Sequence, residues 1–352
     1  MVFDEISFSR FSGHIIERVH VERFLAPFQC LRKLELIISM GADRSFLDAS
    51  RWEKFLTKSL PNLATFDFNI CSLHGINRKV IERYRRPFWL DRRWYVACNE
   101  GYSSLFTVPQ FAPTSISSSS RPISSDYTTL PIEQHIVCFD RVTKLRFDED
   151  TCPLFHRYNY VKELILDDSY GFENILNLSK VQSFIVKTSE WSFYEMMTLI
   201  NEAMPSVNDL CLNWTCLDLL DEDLPNISLP QIQTLRLPKY GQTDEDDLFP
   251  WSRFFPRVER LSASIDSRDQ IRFLIDQFRN MSSGRFYTHP YDRASDKKIK
   301  LTQQWLQENT VRLRGKTTND FICRIENRYS FAFSLCLWIG DNDQPGKHSY
   351  RI

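Results

Sequence analysis

Cysteine is the residue type in this chain with the widest choice of chemistry, because thiolates act as nucleophiles, bind metals and form disulfides. The chain has nine cysteines in 352 residues, and no two of them have the C-x-x-C spacing of zinc and redox motifs. An odd number of scattered cysteines predicts reduced core side chains in a reducing compartment. They are Cys30, Cys71, Cys98, Cys138, Cys152, Cys211, Cys216, Cys323 and Cys336.

The seven histidines show no spacing that predicts a metal site. The H-x-x-x-H and H-E-x-x-H patterns, which place two imidazoles on one helix face, are both missing from the sequence. Carboxylates are plentiful, but none of them is marked out as a pair for acid–base chemistry. The sequence therefore predicts no catalytic residue, no metal and no cofactor, and it favours a protein that is not an enzyme.

Glycine limits the phosphate-binding motifs that the chain can contain. There are only 10 glycines, and the closest two are Gly340 and Gly346, which excludes G-x-G-x-x-G, G-x-S-x-G and the P-loop because each needs closer glycines. The segment GDNDQPGKH at 340–348 looks like a P-loop, but its spacing is one residue too long and His348 stands where Ser or Thr is needed. We reject a phosphate loop there.

Residues 78–93 combine seven basic residues with interleaved aromatic side chains, a composition that can hold a phosphate backbone and stack bases. The alternative is a helix with an arginine-rich outer face, on which Ile76, Val80 and Tyr84 pack inward, followed by an apolar strand from Phe88. The net charge of −1 for the whole chain makes nucleic acid an unlikely partner.

The N-terminus carries early acidic residues and no apolar run, so it predicts neither a signal peptide nor a transit peptide. The longest apolar stretch, 331–339, is far too short to span a membrane. We therefore expect a cytoplasmic or nuclear protein without a membrane contact.

The elements that would position any site are predicted by a recurring L-x-x-L-x-L pattern. Its last two apolar residues alternate with polar ones, as a half-buried strand requires. The successive spacings are 32, 79, 19, 20, 26, 25 and 26 residues, so the last three agree within one residue. The pattern begins at Leu31, Leu63, Val142, Val161, Val181, Val207, Ile232 and Val258.

Turns and helices are predicted between these strands. An apolar residue followed by proline enters four of the patterns, as in LPNL at 60–63 and FPRV at 255–258, which favours a turn before a strand. Helices are predicted from capping boxes at Ser50 with Glu53 and at Ser267 with Gln270, and from the apolar face of residues 193–204.

The repeat resembles leucine-rich repeats, whose consensus continues with Asn or Cys after the strand. LATFDFNICSL, residues 63–73, fits with Cys71 in that place, and VNDLCLNWTCL fits with Thr215 there. A repeat near 26 residues with few asparagines is similar to the cysteine-containing class of F-box/leucine-rich-repeat adaptors. The segments at 86–112 and 302–340 also resemble expanded families of F-box-type proteins.

This resemblance implies a curved α/β solenoid, a horseshoe of irregular leucine-rich repeats with a C-terminal cap. It also implies substrate recognition in a cullin-type ubiquitin ligase, with a Skp-type adaptor and a cullin as partners. Residues 1–27 are too few for an F-box of about 40 to 50 residues, so that role depends on an F-box encoded upstream of Met1. The alternative is a general protein- or RNA-binding scaffold with no ligase role.

The concave strand face is the predicted binding site for a protein partner. In each pattern, the residue between the last two apolar positions points away from the core. With strands about 4.8 Å apart, these residues form a ladder with an apolar centre and a charged rim, as in many protein interfaces. The predicted site residues are Glu35, Asp67, Arg146, Ile165, Ile185, Cys211, Arg236 and Ser262.

The repeat positions also predict the domain organisation. We expect an N-terminal repeat-like part at 1–106, a flexible Ser/Pro-rich insert at 107–135, regular repeats at 136–284 and a capping region at 285–352.

Overall fold

The computed structural model divides the chain into two compact units. Unit 1 comprises Met1–Val142 with Cys152–Tyr158, and unit 2 comprises Thr143–Thr151 with Asn159–Ile352. The structure describes residues 4–9, 17–72, 76–99, 104–117, 127–134, 138, 140–147, 158–167, 176–187, 191–213, 227–238, 240, 249–287, 302–316, 320–329 and 332–340.

Unit 1 contains a five-stranded sheet with the order β1-β2-β3-β5-β4. The first three strands are parallel, whereas β5 is antiparallel to both β3 and β4. The strands of this sheet are β1 (Glu5–Ser9), β2 (Lys33–Ala42), β3 (Thr65–Ser72), β4 (Tyr95–Asn99) and β5 (Ser104–Val108); the short strand β6 (Ser115–Ser117) is not part of it. The helices are α1 (Arg18–Leu25), α2 (Ala49–Ser59), α3 (Arg78–Tyr84) and α4 (Pro87–Leu90), with 3-10 helices at Arg44–Leu47 and Ile132–Gln134.

Unit 2 contains a run of parallel strands that ends in an antiparallel hairpin. Strands β7 to β13 pair in chain order, β15 joins β13 antiparallel, and β14 pairs with β15 at the end of the order. The strands are β7 (Lys144–Phe147), β8 (Glu163–Leu166), β9 (Ser183–Val186), β10 (Asp209–Leu212), β11 (Thr234–Leu237), β12 (Arg260–Ser264), β13 (Ser283–Tyr287), β14 (Phe321–Tyr329) and β15 (Ala332–Ile339). The helices are α5 (Phe193–Ala203), α6 (Trp251–Phe254), α7 (Arg268–Gln277) and α8 (Gln303–Asn309), with a 3-10 helix at Leu178–Lys180.

One hydrogen-bond arrangement recurs where the parallel strands begin. The carbonyl of Lys162 accepts from the backbone N–H groups of Gln182 and Ser183 at 2.8 and 2.9 Å. The equivalent carbonyl of each motif accepts two successive N–H groups of the next strand, so the strands start in the same register. The other accepting carbonyls are those of Thr143, Gln182, Asn208, Gln233 and Glu259 in unit 2, and of Asp4 and Arg32 in unit 1.

The apolar–proline pairs form the turns that the sequence predicts. The N–H of Val207 donates to the carbonyl of Met204 at 3.2 Å, across Pro205, and Leu63 makes the same bond to Leu60 at 3.1 Å. Proline at the second position of a four-residue turn has the backbone angle that such a turn needs. The predicted turn before these strands is confirmed.

Helix prediction gave one confirmed capping box and one error. The box of Ser267 with Gln270 begins α7 as predicted. At α2, however, the cap is Asp48, whose carboxylate accepts from the N–H groups of Ser50 and Arg51 at 3.0 and 3.3 Å. The predicted box of Ser50 with Glu53 is therefore wrong, because the helix begins earlier, with Asp48 as its cap and Ser50 inside its first turn.

The segment after α3 is helical and not extended. We expected an apolar strand from Phe88, but Pro87 occupies the first turn of the short helix α4, where its missing N–H costs nothing, and the strand begins later, at Tyr95. Tyr84 of α3 is fully buried, as expected, and Ile76 is also buried.

Several described residues of 107–135 are buried and hydrogen-bonded. Thr128, Thr129 and Leu130 are buried. The Thr129 backbone N–H donates to the Val96 carbonyl at 2.8 Å, and its hydroxyl accepts from the Val96 N–H at 2.8 Å. Threonine can complete the hydrogen bonding of a strand, so a Ser/Thr-rich composition does not by itself mean a mobile chain. Residues 118–126 lie outside the described ranges.

Both cores contain packed aromatic rings, around Trp52 and Phe66 in unit 1 and around Phe249 and Trp251 in unit 2. Unit 2 also buries a repeated position along its strands, which Leu210 and Leu235 occupy. In β13 this position is Gly284, and a Cβ there would lie 2.8 Å from the Phe286 ring, which fills the space of the absent leucine.

Candidate functional site

Six of the eight predicted site residues form one continuous row across unit 2. The strand registers pair Arg146 with Ile165, Ile165 with Ile185, Ile185 with Cys211, and so on. We call this set the central row; it consists of Arg146, Ile165, Ile185, Cys211, Arg236 and Ser262. Strands β7 to β12 are consecutive in the sheet, so no other strand separates the residues of the central row.

Alternation along each strand sets the direction of the central row. On β9, Phe184 and Val186 are fully buried while Ile185 between them is half-buried. Since successive side chains of a strand point to opposite faces, the central row lies on the face opposite the leucine core. We call this side the strand face of unit 2.

Ion pairs link the cations of the N-terminal part of the strand face to neighbouring carboxylates. Lys144 lies 2.8 Å from Glu163 on the next strand. Asp167 contacts both Arg146 and Lys187, the latter at 3.1 Å. These pairs neutralise the charges of strands β7 to β9 locally.

Arg236 and Asp209 form a two-point pair at the middle of the strand face. The Arg236 Nε and Nη2 donate to the two carboxylate oxygens of Asp209 at 3.1 and 2.9 Å. The Ser183 hydroxyl donates to the same carboxylate at 3.3 Å. This fork geometry fixes the guanidinium, which also lies 3.4 Å from the Ser183 hydroxyl.

The apolar centre of the strand face is less accessible than we expected. Ile165 and Cys211 are each only 8% exposed, while Ile185 is half-buried. Burial raises the pKa of the Cys211 thiol, and the positive charge of Arg236 opposes that shift. Cys211 is therefore a protonated packing residue at neutral pH and a poor nucleophile.

Tyr287 of β13 adds a polar aromatic group near this centre. Burial raises the pKa of its hydroxyl, the neighbouring Cys211 raises it further, and Arg285 and Arg236 oppose the shift. The hydroxyl therefore stays protonated and can donate a hydrogen bond to a ligand on the strand face.

Glu35 and Asp67 form a separate pair in unit 1. They face each other across β2 and β3. The Ser7 hydroxyl donates to Glu35 at 3.1 Å, and the Thr107 hydroxyl donates to Asp67 at 3.4 Å. Burial raises the pKa of Asp67, and the Glu35 charge adds to the shift while the Thr107 hydrogen bond opposes it. The eight predicted residues thus divide into a pair in one sheet and a row of six in another.

Sequence reasoning missed the C-terminal extension of the row. Ser262 pairs with Arg285, Arg285 with Cys336, and Cys336 with Arg324. Strand β13 has Gly284 where the pattern has leucine, and the two strands that follow it in the sheet are antiparallel, so neither carries the L-x-x-L-x-L signal. A weaker signal was available in the alternating run at 331–339.

The basic segment 78–93 has ion pairs on the surface of unit 1. Glu82 lies 3.6 Å from Arg78 and 3.2 Å from Arg85, and the Arg92 guanidinium lies 4.1 Å above the Phe88 ring. A shallow cavity of about 130 Å³ lies beside Arg92, with Leu56, Leu60 and Trp94 in its walls. These contacts are typical of a solvated helix face, the alternative that the sequence left open.

Across the described ranges, His, Cys, Asp and Glu form no group of three or more that could hold a metal ion. None of the described helices is both long and apolar enough to cross a membrane.

Comparison with known proteins gave no assignment: no protein-family model matches the chain, and no curated protein and no solved structure matches it significantly.

Proposed function

We propose that this chain is a non-enzymatic scaffold of irregular leucine-rich repeats that binds a protein partner on the strand face of unit 2. The observation that carries the proposal is the in-register central row, in which six side chains from six successive strands share one face. A rigid ladder of this kind presents a preformed surface, so little conformational entropy is lost on binding.

The recurring strand entry supports a repeat architecture. In unit 2 the same carbonyl of each motif, from Thr143 to Glu259, accepts two N–H groups of the next strand. Repeats stacked in this way bury a face that no single repeat could bury alone. A curved solenoid is the architecture that we propose for these repeats.

Site-specific photo-crosslinking in cells tests the binding surface. A benzophenone side chain at Ile185 or Ser262 should yield crosslinks to a partner protein, because both positions lie on the strand face. The matched control places the same group at Tyr194, which is 56% exposed on α5. Crosslinks that arise only from Tyr194, or equally from all three positions, would reject the strand face as the binding surface.

A role in a ubiquitin ligase is the more specific part of the proposal, and it rests on the resemblance to F-box/leucine-rich-repeat adaptors. We propose that the full gene product recognises substrates for a cullin-type ubiquitin ligase inside the cell. Affinity purification of that product should recover a Skp-type adaptor and a cullin. Their consistent absence, with strand-face crosslinks retained, would remove the ligase role and leave the scaffold.

A further inference from the structure

The C-terminal end of the strand face differs from the rest in charge. Across strands β7 to β11, Lys144, Lys187 and Arg236 each have a carboxylate oxygen within 4 Å. Arg260 on β12 and Arg285 on β13 are both exposed, and neither has a carboxylate partner within 4 Å among the described residues. This end of the face therefore has positive charge that no carboxylate of the described residues neutralises through an ion pair.

Hydrogen bonding orients one of these arginines. The Arg260 Nε donates to the Thr234 hydroxyl on the neighbouring strand at 3.0 Å. That contact leaves the terminal guanidinium nitrogens for a ligand, and a guanidinium binds a carboxylate best through two parallel hydrogen bonds.

Exposed apolar side chains lie on the two strands that follow these arginines in the sheet. Trp338 on β15 is 37% exposed, and Ile322 on β14, its partner across the hairpin, is 40% exposed. Trp338 also pairs with Ser283 on β13, two residues from Arg285 and on the same face. Exposed tryptophan with an aliphatic neighbour is typical of an anchor point for a protein partner.

We infer that these four residues, Arg260, Arg285, Trp338 and Ile322, form a docking patch for an acidic segment of a partner protein that carries a large apolar residue. The two arginines bind carboxylates of the segment, and its apolar side chain packs on Trp338 and Ile322. This inference deepens the proposed function and rests on it, because it names the partner chemistry of the same strand face.

The strand order sets the spacing that the segment needs. From Arg260 to Ile322 the patch crosses β12, β13, β15 and β14, which is three strand spacings or about 14 Å. An extended peptide covers that distance in about four to five residues. The motif therefore has two acidic residues at one end and an apolar residue about three positions away.

Charge and composition favour an acidic protein segment over single-stranded nucleic acid. Sites for single strands stack successive bases on several aromatic rings, whereas Trp338 has the aliphatic Ile322 as its exposed neighbour. The whole chain has a net charge of −1, so no general attraction to a phosphate backbone adds to the two arginines.

Fluorescence anisotropy with the full chain tests the patch. The probe is a labelled peptide with two glutamates and, three positions on, a leucine; a peptide with the glutamates replaced by lysines is the control. We expect saturable binding of the acidic peptide that weakens as salt increases. Arg285→Glu should reduce its affinity at least tenfold, because the charge near the carboxylates is reversed.

Matched variants separate the patch from a general charge effect. Arg279→Glu makes the same charge change at an exposed turn of unit 2 and should leave the affinity unchanged. Trp338→Ala should weaken binding of the acidic peptide. If this variant fails to fold, Arg285→Gln, which retains the side-chain length without the charge, tests the patch in its place.

Three outcomes would overturn the inference: no saturable binding of the acidic peptide, an equal loss with Arg279→Glu, or tighter binding of an oligouridine that Arg285→Glu abolishes. If the acidic peptide does not bind but the crosslinks from Ile185 are retained, the acidic patch alone is rejected. Loss of those crosslinks would reject the proposed function itself.

Discussion

Unit 1 and unit 2 begin their parallel strands with the same hydrogen bonds but differ in how their cores are filled. Unit 1 groups large rings, with Trp52 and Phe66 at a centroid distance of 5.2 Å and a buried arginine, Arg18, 3.9 Å above the Trp52 ring. Unit 2 also groups rings, with Phe249 and Trp251 at a centroid distance of 4.5 Å, but it repeats one buried apolar position from strand to strand, as Leu210 and Leu235 do. The same backbone register is therefore compatible with a buried arginine in the core of unit 1 and with a repeated apolar position in unit 2.

The largest expected difference concerns the buried charge of unit 1. Arg18 is fully buried; its Nε lies 2.8 Å from Glu22, and it donates to the Ser45 and Asp48 carbonyls at 2.8 and 3.2 Å. Burial lowers its pKa to about 10, and the charge of Glu22 partly restores it. Arg18→Met should cost about 3 to 5 kcal/mol, because it leaves buried partners unpaired.

Hydrogen exchange resolved by segment would locate that loss. Exchange should accelerate in α1 and α2 and stay unchanged in β9 to β12. The control is Arg236→Met in unit 2, whose pair with Asp209 is partly exposed and should contribute about 1 kcal/mol or less. Equal effects of the two substitutions would contradict the contrast between the units.

Equivalent strand leucines in unit 2 test the repeated core. Leu210 and Leu235 are both fully buried and lie opposite each other in adjacent strands. Each change to alanine should cost about 2 to 5 kcal/mol in urea unfolding, and the two losses should be similar because the environments are similar. Markedly unequal losses would show that the neighbouring repeats are not equivalent.

A pair of tryptophans gives a smaller contrast. The Trp52 indole N–H donates to the Phe46 carbonyl at 2.9 Å. Within the described ranges the buried Trp251 indole N–H has no hydrogen-bond partner. Trp52→Phe should therefore cost about 1 to 3 kcal/mol, and Trp251→Phe clearly less, as measured by thermal unfolding. The reverse order would contradict the assignment of that hydrogen bond.

The smallest effect concerns the acidic pair of unit 1. Burial raises the folded-state pKa of Asp67 above its ordinary value of 3.8. Because the pKa is higher in the folded state, proton binding by Asp67 stabilises the fold, and this contribution is fully present at a pH below the unfolded-state pKa. It is lost as the pH rises through the folded-state pKa. Asp67→Asn should remove that dependence and slightly raise the melting temperature of unit 1 at pH 7. A melting curve that follows pH in the same way in both proteins would contradict this.

The L-x-x-L-x-L spacing predicted eight strands, and a strand begins two residues after each start, as Lys33 follows Leu31 and Arg260 follows Val258. It also predicted which residues of unit 2 share a face. It did not predict that Ile165 and Cys211 are largely buried on that face, since local spacing carries no information on what neighbouring side chains cover. Of the two arginines of the proposed patch, Arg260 lies within a recognisable motif, whereas Arg285 lies in a strand that has Gly284 at the leucine position.

The sequence alone determined the alternation of the strands and the proline turns, because each depends on residues close together in the chain. Only the tertiary structure decided which strands pair, and two pairings changed the site. The antiparallel strands β4 and β5 follow β3, and Glu35 and Asp67 lie in a different sheet from the central row. The hairpin β14–β15 places Trp338 beside Arg285. Strand pairing joins residues distant in sequence, and its free energy depends on packing across the sheet, which local propensity does not encode.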